Sequence, residues 1–269
     1  GIGVSQTSTG RISLVGCGSG LNMQDDNLDG NHYVPNMNNL FINRAGGVNL
    51  TNTIDICNLG YIAGALNINN TGNLIGTACG GIIVPTGQTL NINNGGKVTV
   101  LPGKYFNNDG TVNVNAGGTI VLDANAGSNG AVGGANPITY TTPTSILRYI
   151  ASATTVPTKI AGPELPTPTM PGKVEVIRTG GNLLQINTVT NIQGGLDIQS
   201  GFCEIISPGN VTLGAGSLVH TGALLRVVNG STVSGGANLT IQSGGILSFL
   251  LSPTATWAGT PTYAAGSLL

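Results

Sequence analysis

Charged residues are the first thing that the sequence lacks. They make up 7% of the 269 residues, where an ordinary soluble domain carries about 25%. Nine Lys and Arg stand against ten Asp and Glu, with no basic run, which argues against nucleic acid as a partner. The net charge of −1 leaves little repulsion between copies, so the composition favours self-association.

Aromatic residues are also scarce, at 4% of the chain, although hydrophobic residues as a whole reach 40%. A core must therefore be built from Val, Ile, Leu and Ala. Disordered chains combine low hydrophobicity with high net charge, so we expect this chain to fold. The longest apolar run, residues 246–251, is interrupted by Ser248 and falls far short of the roughly 18 residues that span a bilayer. No transmembrane segment is predicted.

The motifs of the common catalytic classes are missing as well. The sequence contains no G-x-S-x-G, P-loop or H-E-x-x-H and has two histidines. Glycoside hydrolysis needs two carboxylates that face one bond, and the acids are mostly isolated in the sequence. Asp109 and Asp123 could meet only if they lay on adjacent coils of a repeat. We therefore expect a protein that is not an enzyme.

The four cysteines, Cys17, Cys57, Cys79 and Cys203, are widely spaced. They form no C-x-x-C pair and have no neighbouring histidine to complete a zinc site. In an exported chain they allow three disulfide pairings. Buried free thiols that act as small apolar residues are the alternative.

Glycine, at 44 residues, is more than twice its usual share of about 7%. Short stretches of alternating apolar and polar residues, separated by glycine pairs, indicate strands and turns. One series recurs about every 22 to 24 residues, at 65–69, 90–93 and 112–115. A second series has a spacing nearer 14 or 15 residues, at 196–198, 211–213, 225–227 and 239–241.

The units TLNINNGGKVTV, TVNVNAGGTIVL and NLTIQSGGILSF resemble the repeats of bacterial secreted adhesins and autotransporter passengers, which form parallel β-helices. The resemblance is one of composition and period and covers about half of the chain. It implies coils stacked at the strand spacing of roughly 4.8 Å, with aliphatic side chains inward and glycine at corners that need a positive φ. It also implies that asparagines form side-chain amide ladders.

Two observations keep a second all-β fold open. A spacing of 14 or 15 residues is short for a full three-sided coil. In addition, Asn94-Gly95 and Asn229-Gly230 are typical of type I′ hairpin turns. Two tandem β-sandwich domains are therefore the alternative to a parallel β-helix or solenoid of repeats.

Proline divides the chain. Seven prolines fall within the stretch 137–172, which we interpret as a linker or a strap across the surface. Residues 1–136 are then an N-terminal β-repeat domain, and 173–269 a C-terminal β-repeat domain with an apolar tail. Residues 145–152 are the best candidate for a short helix.

One local motif has the form of a calcium site. The residues from Asp25 to Gly30 contain D-x-N-x-D-G, the opening of an EF-hand-type loop, in which oxygens at alternate positions point inward. Asp25, Asn27 and Asp29 are the candidate ligands, although Asn36 stands where the final bidentate Glu is expected. A solvated turn rich in Asn and Asp is the alternative.

These features together predict a structural subunit of an extracellular filament or surface layer. Near-zero charge, repeats without obvious polar caps and apolar stretches at both ends would let copies join through terminal strands or end-to-end stacking. An adhesin or carbohydrate-binding surface protein is the alternative, and a β-helical polysaccharide lyase or hydrolase the third hypothesis. We expect an extracellular or cell-surface location in a bacterium.

Overall fold

The computed structural model describes residues 66–69, 72–75, 81–123, 132–151, 158–179, 183–250 and 255–269. For Ala65 and the strands at 2–3, 20–23, 27–28, 37–43, 48–50 and 53–63 it describes the backbone alone. Among the described residues no helix is long and apolar enough to cross a membrane.

The described chain is built almost entirely of short strands. The first fifteen are β1 (Ile2–Gly3), β2 (Gly20–Met23), β3 (Asn27–Leu28), β4 (Met37–Asn43), β5 (Val48–Leu50), β6 (Thr53–Ala63), β7 (Ala65–Ile68), β8 (Asn73–Ile75), β9 (Gly81–Val84), β10 (Thr89–Ile92), β11 (Lys97–Val100), β12 (Tyr105–Asn108), β13 (Thr111–Val114), β14 (Thr119–Asp123) and β15 (Val132–Gly133). The next nine are β16 (Ile138–Tyr140), β17 (Ile146–Ala151), β18 (Lys159–Ile160), β19 (Thr169–Met170), β20 (Lys173–Arg178), β21 (Leu183–Ile186), β22 (Val189–Ile192), β23 (Leu196–Ser200) and β24 (Phe202–Ile205). The last are β25 (Asn210–Leu213), β26 (Ser217–Val219), β27 (Leu224–Val228), β28 (Thr232–Ser234), β29 (Leu239–Ile241), β30 (Ile246–Leu250), β31 (Thr256–Trp257) and β32 (Thr262–Tyr263), with a single-turn 3-10 helix (Gly236–Asn238) before β29.

Each strand pairs in parallel with the strand one coil away, and the chain forms a β-solenoid of about eight coils. From β7 onward the strands fall on three faces in rotation. The first face contains β7, β10, β13 and β16 and then β19, β22, β25, β28 and β31; the second contains β8, β11, β14, β17, β20, β23, β26, β29 and β32; the third contains β9, β12 and β15 and then β18, β21, β24, β27 and β30. The prediction of an all-β solenoid is confirmed.

The alternation of side chains along each strand produces the core. In β10 the order Thr-Leu-Asn-Ile places Leu90 and Ile92 inward, both fully buried, because successive side chains of a strand point to opposite faces. Leu90 lies in register between Leu66 and Val112 of the neighbouring coils. A single cluster of buried aliphatic side chains runs in this way from Leu66 to Leu247.

The glycine pairs form corners between faces. Gly95 has a φ of 74°, which glycine adopts without the steric cost that a side chain would bring. A Cβ on Gly96 would lie 2.2 Å from the carbonyl oxygen of Ile68, so the second glycine allows one coil to approach the coil before it. The strands on either side, β10 and β11, pair with other coils and not with each other. The expectation of hairpins, and with it the β-sandwich alternative, is therefore wrong.

The second repeat series has the same coil length as the first. Its segments lie in β23, β25, β27 and β29, on the second, first, third and second faces in turn. Each step of 14 or 15 residues thus advances the chain by two of the three faces. Leu196 and Leu239 are 43 positions apart, which is two coils. The spacing is two thirds of a coil, and for that reason it looked too short for a whole one.

The stack continues through the proline-rich stretch. Strand β17 pairs with β14 on one side and β20 on the other, and Ile138, Leu147 and Met170 belong to the buried core cluster. Residues 145–152 are mainly strand β17, with alternate residues buried, so the prediction of a helix there is wrong. Residues 137–172 therefore contribute strands and core side chains, and separate folding of the parts on either side stays a prediction.

Candidate functional surfaces

Amide ladders cover the outer surface of the first face. The side chains of Asn67, Asn91 and Asn113 form one column, in which each Nδ2 donates to the Oδ1 of the previous coil at 2.9 and 3.0 Å. A second column repeats the pattern at 2.7 Å for both bonds, through Asn69, Asn93 and Asn115. The amide ladders that the resemblance implied are confirmed. They bond neighbouring coils without any charge on this part of the surface.

The backbone register continues the first column toward the N-terminus. Asn49 of β5 is the register partner of Asn67, and Asn27 of β3 is the partner of Asn49. Asn27 was predicted as a calcium ligand, and its described backbone belongs to a strand of the first face. Asp25 and Asp29 lie outside the described residues, so the calcium site stays a prediction. In the described part of the chain no cluster of three or more His, Cys, Asp or Glu has the arrangement of a metal site.

The second face carries a row of charged side chains, here called the charged strip: Arg148, Lys173, Glu175, Asp197 and His220. Arg148 lies on β17, Lys173 and Glu175 on β20, and Asp197 on β23, and His220 directly follows β26. The strip therefore crosses four consecutive coils. It brings together an acid pair that the sequence analysis treated as isolated, because Glu175 and Asp197 are register partners.

Short contacts join the strip into one network. Arg148 Nε donates to Glu175 Oε2 at 2.7 Å. Lys173 Nζ lies 3.3 Å from Glu175 Oε1 and 2.7 Å from Asp197 Oδ2, and His220 Nε2 lies 2.8 Å from Asp197 Oδ1. The acid side chains are 7% exposed, whereas those of Arg148, Lys173 and His220 are 34%, 29% and 32% exposed. The cations thus cover the carboxylates, and the solvent meets mainly nitrogen donors.

The network favours the charged forms of its members. Burial by itself would raise the pKa of Asp197, but hydrogen bonds from Lys173, Gln199 and His220 and the charge of Lys173 outweigh it and hold the pKa below its ordinary value. Burial likewise acts to lower the pKa of Lys173, and the carboxylates of Asp197 and Glu175 more than offset it, so that this pKa is raised. The ion pair between Lys173 and Asp197 is therefore maintained at neutral pH.

The other acids considered from the sequence do not form such a pair. Asp109, in the turn after β12, accepts hydrogen bonds from Asn107 Nδ2 at 2.8 Å and from the backbone N–H of Ala135 at 2.9 Å. Asp123, at the end of β14, is the register partner of Ile150. The structure therefore does not place Asp109 and Asp123 opposite each other on adjacent coils.

A second polar network lies inside the solenoid, beside the loop that follows β18. Glu164 Oε1 accepts hydrogen bonds from Tyr149 Oη and from the backbone N–H of Gly162, both at 3.0 Å. Lys159 Nζ lies 3.7 Å away from the same oxygen, and the two side chains are 2% and 0% exposed. Burial lowers the pKa of Lys159, and burial together with the Glu164 charge raises the pKa of Tyr149. This ion pair is shielded from water, unlike those of the charged strip.

Cys203 is a buried free thiol on β24. Burial raises its pKa to about 12, so the thiol stays protonated and acts as a small apolar core residue. Cys17 and Cys79 lie outside the described residues, and of Cys57 only the backbone is described. Their pairing stays a prediction.

Comparison of the chain with protein-family models, with curated proteins and with solved structures finds no match. Its function therefore has to be argued from its own surfaces. The charged strip was detectable in the sequence: Glu175 and Asp197 are 22 positions apart, and Asp197 and His220 are 23 apart, close to one coil. The coil period was applied to the apolar residues and not to the charged ones.

Proposed function

We propose that this chain is a structural β-solenoid of an extracellular filament or surface layer, assembled from copies of itself. The observation that supports this best is the continuity of the stack. Backbone pairing and amide ladders both pass from coil to coil in register. Such a stack gains stability from each added neighbour and forms a stiff rod, and this role needs no catalytic residue.

The chemistry of the stack also suits end-to-end growth. Among the described strands, β32 pairs with β29 alone. The other edge of β32 offers backbone donors and acceptors to a further coil, from the same polypeptide or from a second copy. With a net charge of −1, long-range repulsion does not oppose that addition. A bacterial cell-surface location is part of the proposal.

Negative-stain electron microscopy over a concentration series tests the proposal. We expect unbranched filaments or ordered sheets that become more abundant with protein concentration. Single particles at every concentration would contradict it. The series is repeated with a calcium chelator and with the Asp25→Asn/Asp29→Asn double variant. Loss of assemblies in both would support calcium at Asp25, Asn27 and Asp29, and unchanged assemblies in both would contradict it.

The charged strip favours a carbohydrate-binding role as the second candidate. Its exposed atoms are mainly nitrogen donors at coil spacing, held in place by the carboxylates beneath them. Arg148 keeps its terminal nitrogens for a ligand, because Nε is the atom that donates to Glu175. A linear polysaccharide with carboxylate groups is the ligand class that such a row would recognise, through charge-assisted hydrogen bonds.

Binding of a soluble polyuronate, measured by calorimetry at low salt, tests this second candidate. We expect Arg148→Gln to weaken binding about tenfold, the usual size of one lost charge-assisted contact. Lys97→Gln is the matched control, because Lys97 is an exposed cation of the same face that lies outside the strip. Equal weakening by both variants would indicate non-specific attraction, and no binding by the unmodified protein would exclude the role.

A further inference from the structure

An apolar stripe runs along the outer surface of the third face. Its members occupy one register column of β21, β24, β27 and β30, and a bridge from Ile246 adds a fifth residue. The stripe consists of Leu183, Phe202, Leu224, Ile246 and Leu268. Phe202 is 38% exposed and Leu268 is 56% exposed, and the other three are half-buried. A contiguous exposed apolar column differs from singly scattered apolar residues and marks an interaction surface.

A second apolar column strengthens the same face. Val228 and Leu250 are register partners at the ends of β27 and β30, and Leu250 is 51% exposed. The column between the two apolar columns is polar and consists of Gln185, Glu204, Arg226 and Ser248. The outer surface of the first face, by contrast, is mainly Asn, Thr and Ser on β25 and β28. The apolar surface is therefore a property of one face and not of the whole exterior.

The polar column contains one ion pair. Arg226 Nη2 contacts Glu204 Oε1, and Gln185 Nε2 donates to Glu204 Oε2 at 2.8 Å. The Arg226 side chain is 33% exposed and that of Glu204 is 6% exposed. Between two apolar columns this pair gives the face a direction, with a negative group on β24 and a positive group on the next coil.

We infer that this face binds the same face of a second copy of the chain, with the two solenoid axes antiparallel. The inference rests on the proposed function and names the lateral contact of the assembly. A two-fold axis in the plane of the interface, parallel to the strands and between β24 and β27, places Glu204 of each copy opposite Arg226 of the other. It also places Phe202 opposite Leu224, so that apolar groups meet apolar groups.

Charge selects this orientation over the parallel one. A two-fold axis along the solenoid would still bring one apolar column onto the other, but it would place Glu204 opposite Glu204 and Arg226 opposite Arg226. Like charges that face each other across an interface are unfavourable. The antiparallel pair is self-complementary in both its apolar and its charged groups.

The size of the face predicts a weak contact. Five rows at about 4.8 Å span about 19 Å along the stack, which is below the roughly 800 Å² per partner of a standard stable interface once the width of one strand is included. We therefore expect a concentration-dependent pair. Repetition of the contact along an assembled rod would add to its strength.

Sedimentation equilibrium from micromolar to near-millimolar protein tests the inference. We expect a reversible monomer–dimer equilibrium that Phe202→Asn weakens at least about tenfold, since exposed aromatic anchors dominate such contacts. Val189→Asn is the matched control, because Val189 is 51% exposed on β22 of the first face and lies outside the stripe. A monomer at all concentrations, or equal weakening by the two variants, would overturn the inference.

The Glu204→Arg/Arg226→Glu double variant tests the orientation, because it keeps the intramolecular pair. In the antiparallel arrangement this variant pairs with itself and the unmodified protein pairs with itself, whereas a mixed pair brings like charges together. Energy transfer between labelled copies should therefore be weaker in the mixture than in either sample alone. Stronger transfer in the mixture would indicate the parallel arrangement and contradict ours.

The outcomes separate this inference from the proposed function. Filaments of Phe202→Asn as abundant as those of the unmodified protein would overturn the lateral contact and leave end-to-end assembly intact. A specific dimer without any larger assembly would overturn the filament and leave the lateral contact intact.

Discussion

Substitution of Gly201 by alanine is expected to destabilise the protein far more than substitution of Gly222 by alanine. Both glycines have a positive φ, of 78° and 75°, so both variants carry the strain of an L-residue in the left-handed region, about 1–2 kcal/mol. They differ in their surroundings. A Cβ on Gly201 would lie 1.6 Å from the carbonyl oxygen of Arg178, whereas nothing lies within 4 Å of a Cβ on Gly222.

The contact at Gly201 cannot be relieved by a side-chain rotation, because the atom it meets belongs to the backbone. Gly201 forms the corner between β23 and β24, and Arg178 ends β20 one coil earlier. An alanine would have to push these two coils apart, which would weaken parallel pairing on two faces. We expect a loss of more than about 4 kcal/mol, at the far end of the range for single substitutions, or failure to fold.

Urea unfolding followed by circular dichroism measures both variants. Gly222→Ala should lower the midpoint modestly and leave the slope unchanged, which shows that the strain alone is tolerated. Gly201→Ala should lower the midpoint much further or give no folded baseline. Similar midpoints for the two variants would show that the close approach of the coils at Gly201 is not a constraint.

The sequence was sufficient to predict the coil and its core. Leu66, Leu90 and Val112 recur at the coil period, and the same period places them in register in one buried column. The amide columns follow for the same reason, since a residue beside a core position recurs at the same spacing. Periodic contacts can be predicted because a solenoid turns separation in sequence into neighbourhood in space.

Two features were misread where the period changes. Coils at the centre are longer, as shown by the pairing of Ile146 with Lys173, 27 positions later, and residues 145–152 lost their likeness to the flanking repeats. In the C-terminal half three similar strands per coil produced a spacing of two thirds of a coil. Propensity within single segments could not resolve either case, because pairing with neighbouring coils decides the structure.

The buried pair of Lys159 and Glu164 could not have been predicted from the sequence. The two residues lie five positions apart in a stretch rich in proline and glycine, where exposed charges are the usual expectation. They are buried because the chain after β18 folds over the solenoid and brings Glu164 beneath Tyr149 and Gly162. Nothing in the coil period encodes that contact.

Substitution of Lys159 by methionine is therefore expected to cost about 3–5 kcal/mol of the free energy of unfolding, because it leaves Glu164 buried without its cation. Lys173→Met is the matched control. Lys173 lies closer to its carboxylate, at 2.7 Å against 3.7 Å for Lys159. It is 29% exposed, however, and solvent-accessible pairs contribute about 1 kcal/mol or less. If separation rather than burial decided the energy, the control would be the more damaging variant.

A second substitution identifies the cause of the loss. The Lys159→Met/Glu164→Gln double variant removes the uncompensated charge and keeps a carbonyl oxygen that can accept from Tyr149 Oη and the Gly162 N–H, so we expect it to recover most of the stability. Replacement of a buried ion pair by neutral groups of similar shape is often nearly neutral. Chemical denaturation of the four proteins gives the coupling energy directly. A double variant as unstable as Lys159→Met would show that the loss arises from packing of the lysine stem and not from the stranded carboxylate.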